Sequence, residues 1–359
     1  MAPCFLFLAF GFRAGGTMRA RAGRGRLRRP PRIDLQDQRV IVTGAAGFIG
    51  SHTARALLER GACVLSLDSM DPYYDPAIKR DNLVELAARA APGAFEHQDC
   101  DIRDADAVHR AFSGFRPNGV IHLAARAGVR PSIADPAGYA VTNVIGTQHV
   151  LDAAEAVGCK RIVCASSSSV YGNSPKTPFA EDDRVDRPIS PYAATKKACE
   201  LIAHSHHHLT GAKVAMLRFF TVFGPAQRPD LAIRLFLTRV AAGEPITLFG
   251  DGSTSRDYTF VEDIVAGVLA AYERIDAHGY RVWNLGGDHP ITLAELVTII
   301  GETVGREPVI ERRPMQPGDV ERTWADLTRS RAELGYDPKT PVRAGIERQF
   351  AWMRGRSSV

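Results

Sequence analysis

From Arg39 onward the chain alternates short apolar runs with longer amphipathic stretches. "RVIVTG" is β-branched and reads as a strand, and the segment from Phe48 to Arg60 has helical periodicity and closes on Gly61. A second apolar run, "CVLSLD", precedes a helical segment from Pro76 to Ala91. Further strands are expected at 119–125, 161–167 and 214–220, with helix-length segments at 135–157 and 190–211 between them. Strands separated by helices of this length predict an α/β fold whose parallel sheet is covered on both faces, a Rossmann-type doubly wound arrangement. Beyond Phe220 the elements become shorter: "AIRLFLTRVAAG", "PITLFGDGS", then a helix from Val261. Thr292 and Glu295 stand at capping-box spacing at the head of "ITLAELVTIIGETVG", which stops at a glycine and so reads as a helix. The pattern divides the chain into a larger domain over 39–217, with parts of 260–285 returning to it, and a smaller C-terminal lobe, mainly 218–359.

Composition changes this picture little. The 359 residues are 45% hydrophobic, enough for a large core, and carry a formal net charge of +5. Much of that charge sits in the arginine run from Arg19 to Arg32, so the body of the protein gives no nucleic-acid signal. Residues 1–38 read as a disordered basic extension, and Met18 is a candidate start. The apolar run near the N-terminus is too short to span a bilayer and its positive charges follow rather than precede it, so no membrane partner is expected. Six scattered cysteines form no CxxC pair, which fits a reducing, cytoplasmic setting. The histidines of "HSHHH", His204 to His208, lie on an expected helix without carboxylate or thiol at ligand spacing, and no metal is expected.

Chemistry enters with "TGAAGFIG", which places Gly44, Gly47 and Gly50 between a strand and a helix. In that position glycine permits the tight turn, lets backbone N–H groups approach a pyrophosphate and packs helix against sheet. Asp68 ends the second strand, where an acid binds the adenosine ribose hydroxyls and favours NAD over its 2′-phosphorylated form. Tyr192 and Lys196 lie four apart at a helix start, hence on one face. An ammonium beside a phenol stabilises the phenolate and makes a general base. The polar cluster "ASSSSVYG" ends a strand where open parallel sheets bind ligands.

Taken together, the glycine motif, "HLAA" at 122–125, "SSVYG" and YxxxK resemble the extended short-chain dehydrogenase/reductase family, specifically its nucleotide-sugar epimerases and dehydratases. The resemblance implies that Ser167 hydrogen-bonds the sugar 4-oxygen, that Tyr192 is the base, and that Lys196 holds the nicotinamide ribose and tunes Tyr192. It also implies a cofactor site lined by Phe48, Ile49, Asp101, Ile102, Leu123, Ala124 and Ala125. Arg130, Ser168, Ser169, Arg256 and Asp319 would face the UDP-sugar, with Arg256 on its phosphates. Gln316 stands where galactose-type relatives have an arginine, and Asn143 aligns with an asparagine that supports the active-site helix. A homodimer through the helices at 135–157 and 190–211 is implied as well.

The choice of sugar turns on a few positions. Dehydratases carry acidic residues before the Val-Tyr-Gly, and UDP-glucuronate decarboxylases a glutamate beside that valine; here Ser168 and Ser169 offer no carboxylate. "DPYYDPAIKRDNL", "AGVRPS", "YAATKKACE" and "RFFTVFGPAQRPD" resemble the UDP-glucuronate 4-epimerases, with Thr221 where galactose-type enzymes have asparagine. A uronic acid oxidised at C4 is a β-keto acid that loses CO₂ when its carboxylate bond turns perpendicular to the carbonyl plane. Thr221 and Arg228 are therefore expected to hold that carboxylate still, Arg228 directly or through its loop. The alternatives are a UDP-glucose or UDP-N-acetylglucosamine 4-epimerase, a decarboxylase, an NAD-linked reductase, and a non-catalytic NAD-binding regulator.

Overall fold

The computed structural model describes residues 32–315 and 320–356. The expected disordered extension falls outside them up to residue 31, but Leu35 is already buried and Arg32 pairs with Glu273, so the packed fold begins ahead of Arg39. Along the first two-thirds of the chain run strands β1 (Arg39–Thr43), β2 (Cys63–Asp68), β3 (Phe95–Asp99), β4 (Gly119–His122), β5 (Arg161–Ser167) and β6 (Lys213–Phe219). Between them lie helices α1 (Phe48–Leu58), α2 (Pro76–Arg89), α3 (Ala105–Phe115), α4 (Val129–Ala134), α5 (Pro136–Ala140), α6 (Gly146–Ala156) and α7 (Pro191–Thr210). The later strands are β7 (Thr221–Phe223), β8 (Ile246–Phe249), β9 (Ser255–Phe260), β10 (Tyr280–Leu285), β11 (Pro290–Thr292) and β12 (Ile310–Arg313). The later helices are α8 (Ala232–Ala242), α9 (Val261–Arg274), α10 (Leu293–Val304), α11 (Thr328–Leu334) and α12 (Val342–Arg356).

Seven strands form one parallel sheet in the order β10-β6-β5-β4-β1-β2-β3. The order reverses between β1 and β4, and a crevice opens there at the carboxyl ends of the strands. β3 was not singled out in the sequence: "FEHQD" is polar and half-exposed because it is an edge strand, covered on one side only. The expected helix at 135–157 forms over 136–156 without a break, α5 running through a π-helical turn at Val141–Ile145 into α6. The smaller lobe gathers β7, β9 and β11 in one sheet and β8 with β12 in another, over a separate apolar cluster that includes Phe236, Leu248 and Ile300. The capping box on Thr292 and Glu295 forms as its spacing predicts.

Two features of the interior position the site. Gly44 has φ +73° and accepts no Cβ without meeting Ala124, while a Cβ on Gly50 would stand 2.0 Å from the Gly44 carbonyl oxygen, so α1 is packed against its own entry turn. Beneath the other half of the sheet, the Arg218 guanidinium on β6 grips the Glu200 carboxylate on α7, Nε to Oε1 at 2.8 Å and NH2 to Oε2 at 2.9 Å. Both side chains are 2% exposed. Ser166 donates to the same Oε1 at 2.8 Å, and Arg218 also donates to the Tyr171 hydroxyl at 2.9 Å.

Removing one partner of a buried pair leaves a desolvated charge. Arg218→Met is expected to cost about 3–5 kcal/mol of stability, and the double variant Arg218→Met/Glu200→Gln less than the single one, as read from urea denaturation midpoints.

Candidate active site

One cavity of about 640 Å³ runs along the crevice and takes in both halves of the expected site. At one end are Gly44, Gly47, Phe48, Ile49 and Gly50, then Asp68 at the tip of β2 and Asp101 with Ile102 after β3. Leu123, Ala124 and Ala125 form the floor after β4. Ser167, Ser168, Ser169, Tyr192 and Lys196 stand at the middle, and Thr221, Arg228 and Arg256 at the far wall. Arg130 is not among these lining residues; it is exposed, with its guanidinium 4.5 Å from the centre of the Phe249 ring in the smaller lobe. Asp319 and Gln316 lie outside the described residues.

The nucleotide end is built for a dinucleotide. The glycine turn leads straight into the N-terminus of α1, whose first backbone N–H groups face the cavity for lack of intrahelical partners. Asp68 is buried, its Oδ1 accepting from the Met70 amide at 2.9 Å and from the Lys79 ammonium at 3.3 Å. Lys79 also lies 5.3 Å from the centre of the Tyr74 ring. Lys79 escaped the sequence reading; the signal was present, since Lys79, Asn82 and Leu86 share one buried face of α2 at helical spacing. Asp101 is held below the usual carboxylate range by its bonds to Arg103.

At the centre, Ser167 ends β5 and its Oγ caps the short turn that follows, accepting from the Ser169 amide at 3.1 Å and donating to the Ser169 hydroxyl at 3.1 Å. Ser190 caps α7, so Tyr192 and Lys196 sit in its first two turns. Lys196 is buried and donates to the Ala165 carbonyl at 2.8 Å, which leaves N–H groups for a ribose. Tyr192 meets Tyr139 edge to face at 6.3 Å between ring centres.

The support beneath is a neutral network. Thr43 accepts from the Leu123 and Ala124 amides, so its hydroxyl donates to His122 Nδ1 at 2.7 Å, and Nε2–H of His122 donates to Thr147 at 3.1 Å. Burial first, and the nearby Lys196 charge second, lower the His122 pKa to about 3, which keeps this tautomer uncharged. Asn143, in the π-helical turn, accepts from the Arg126 amide at 2.8 Å and donates to Thr195 at 3.0 Å, fastening the loop after β4 to α7.

At the far wall Thr221 opens β7, paired with Tyr258 of β9. Arg228 does not present a free fork: Nε and NH2 go to the Asp230 carboxylate at 3.0 and 2.6 Å, and NH1 to the Ala127 carbonyl at 3.2 Å. Its guanidinium lies 4.9 Å from the centre of the Tyr73 ring, whose hydroxyl burial pushes above its ordinary pKa. Arg228 thus ties its own loop, through Asp230, to the loop after β4, through Ala127.

A parallel sheet with a glycine turn at its switch point, and a serine, tyrosine and lysine around the same crevice, defines a dinucleotide-dependent protein of the short-chain dehydrogenase/reductase kind. The chain belongs to the NAD dependent epimerase/dehydratase family, whose model matches residues 40–286. It is 39% identical over 316 residues to a UDP-glucuronate 4-epimerase of Thermodesulfobacterium geofontis, covering 88% of this chain and 95% of that one. It is 40% identical over 334 residues to UDP-glucuronate 4-epimerase 5 of Arabidopsis thaliana, covering 88% and 75%. Among solved structures, the UDP-glucuronic acid 4-epimerase of Bacillus cereus in complex with UDP-glucuronic acid and NAD superimposes with a TM-score of 0.82 at 31% identity, over 89% of this chain and 99% of that one. Among the described residues, no helix is long and apolar enough to cross a membrane and no cluster of metal-ligating side chains occurs.

Asp68→Ala removes the charged acceptor at the ribose end. It is expected to weaken NAD binding by about 10- to 100-fold, measured by calorimetry on protein stripped of cofactor.

Proposed function

We propose that the protein interconverts UDP-glucuronate and UDP-galacturonate as an NAD-dependent 4-epimerase. The observation that carries this reading is a single cavity that joins the glycine turn and Asp68 to Ser167, Tyr192 and Lys196, with Thr221 on its wall and no carboxylate at positions 168 and 169. The similarity to UDP-glucuronate 4-epimerases over most of the chain supports it.

The residues fit NAD: Asp68 for the ribose hydroxyls, the α1 N-terminus for the pyrophosphate, Lys196 for the second ribose. When bound, that cofactor accepts a hydride from C4 of the sugar and returns it. Tyr192 takes the proton of the sugar 4-hydroxyl and gives it back. Ser167 holds the 4-oxygen in reach of Tyr192, and Lys196 favours the phenolate while Tyr192 is without its proton. Between the two steps the 4-keto sugar turns over, so the remaining contacts must hold the UDP and the carboxylate without gripping the ring.

Arg256 lies on the cavity wall, its NH1 on the carbonyls of Ser255 and Glu321, where it serves the UDP phosphates. Thr221 with Ser168 and Ser169 serves the sugar carboxylate, and Arg228 keeps the surrounding loops in place. Asp319 and Arg130 remain part of the proposed substrate surface. Residues 39–217 with parts of 260–285 act as the NAD-binding part and 218–359 mainly as the UDP-sugar lobe. The working form is a cytoplasmic homodimer, supported by the exposed Ile145, Leu201 and Leu209 on the π-turn and α7.

Purified protein is expected to convert UDP-glucuronate to UDP-galacturonate without added NAD, as followed by NMR; a requirement for stoichiometric NAD or an exclusive preference for UDP-glucose would overturn the reading. Tyr192→Phe is expected to lower kcat by about 10²- to 10⁴-fold with KM little changed. Thr221→Ala with Arg228→Met is expected to raise KM for UDP-glucuronate about tenfold and to release UDP-pentose, a product separated by anion-exchange chromatography.

A further inference from the structure

The turn between Thr221 and Arg228 has a backbone that one of its residues does not favour. Gly224 takes φ +143° as glycine readily can, but Ala226, a residue with a Cβ, has φ +61°. Such a turn persists only where its surroundings fix it. Two side chains do so, one from α1 and one from the turn itself. His52 of α1 donates Nε2–H to the Pro225 carbonyl at 2.9 Å, while its Nδ1 accepts from Arg55 at 3.0 Å. On the other side Gln227 is buried, lines the cavity, and donates Nε2 to the Val222 carbonyl at 3.1 Å. Its Oε1 accepts from the Arg234 amide at 3.2 Å and from Gln349 Nε2 at 2.8 Å.

Gln349 belongs to the C-terminal helix α12, is fully buried, and lies outside the cavity lining. Among the described residues its own Oε1 has no hydrogen-bond partner. A buried amide with one end unsatisfied costs stability, and the bond its other end makes is to the residue next to Arg228. The far end of α12 is tied down as well, with Arg356 on Asp81 and Glu85 of α2.

We infer that Gln349 is a positioning residue for product fidelity: through Gln227 it holds the turn that carries Thr221 and Arg228, and so keeps the sugar carboxylate in the plane that prevents loss of CO₂. The inference rests on the uronate reading of the site. Oxidation sends the C4 hydride to NAD and the hydroxyl proton to Tyr192. If the carboxylate then rotates, the C5–C6 bond breaks, CO₂ leaves, and its electron pair passes to C5 and the 4-oxygen as an enolate that takes a proton at C5. The resulting 4-keto pentose either recovers the hydride as UDP-pentose or dissociates and leaves NADH on the protein.

The test uses the full-length protein with bound NAD and UDP-glucuronate. Gln349→Leu keeps the volume and removes the donor; Gln349→Glu keeps the size and, carrying its proton at this buried position, still donates to Gln227 Oε1. Arg343→Ala, which loses only the surface pair with Glu302, controls for a loosened helix. Gln349→Leu is expected to raise the UDP-pentose fraction and the NADH absorbance per turnover by about tenfold, with Gln349→Glu intermediate and Arg343→Ala like the parent. If Gln349→Leu melts at the parent's temperature and retains NAD but gives the parent's product ratio, the inference is overturned. If it unfolds, the ratio is read instead on Gln227→Met, which cuts the same bond from the other side, and an unchanged ratio there overturns it equally. Failure of the parent protein to turn over UDP-glucuronate would instead sink the functional reading.

Discussion

The buried ion pair between Arg218 and Glu200 ties the catalytic elements to one another. Glu200 lies one helical turn beyond Lys196 on α7, and its carboxylate also accepts from Ser166, the neighbour of Ser167. Arg218 reaches in the other direction to the Tyr171 hydroxyl, which itself donates to Asn284 on β10 at 2.7 Å. One guanidinium thus joins the end of β5, the middle of α7 and the edge of the sheet. Two charges taken out of water at this depth lose several kcal/mol each in solvation, and a hydrophobic pair could match them in stability. What an apolar pair could not supply is direction. A fork on a carboxylate admits one orientation of α7 about its axis, and that orientation decides which way Tyr192 and Lys196 face.

The loop after β4 is oriented by uncharged groups instead. His122, Thr43, Thr147 and Asn143 form a chain in which every donor has one acceptor, and burial keeps the imidazole neutral so that the chain has one proton arrangement. Charge enters around this chain: the Lys196 ammonium stands close enough to lower the His122 pKa, and the Asp68 carboxylate takes the Lys79 ammonium at 3.3 Å.

The parts that could be read from the chain were those whose spacing carries chemistry by itself. Gly44, Gly47 and Gly50 with Asp68, and Tyr192 with Lys196, lie close together in sequence, so a strand–turn–helix and one helix face suffice to place them. β3 was hidden because its polar, half-exposed residues at the sheet edge show no apolar run, and the helix at 135–157 was legible while the π-helical turn inside it was not, because such a turn changes the hydrogen bonding without changing the hydrophobic pattern. Arg218 falls within the strand expected at 214–220, but its partner is on another element and no spacing announces it. Arg228 is expected to hold the sugar carboxylate directly or through its loop, and in the structure its fork meets Asp230, two residues on. Lys79 and Gln349 act across tertiary contacts and leave in the sequence only a polar residue at a buried helical position.

That distribution bears on how a 4-epimerase of a uronic acid can work at all. The ring must turn over between oxidation and reduction, so the pocket cannot grip it, yet its carboxylate must not rotate freely. These demands conflict if one set of side chains serves both. Here the groups near the reacting carbon come from β5 and α7, held by a charged pair at their base. The proposed carboxylate contacts come from β7 and the turn after it, held from behind by His52 of α1 and Gln349 of α12. Because neither of these two side chains lies on the cavity lining, the stiffness of the second set is independent of where the ring points. The strained backbone at Ala226 is then a consequence of the same division: the turn is shaped by what packs behind it, not by what its own sequence prefers.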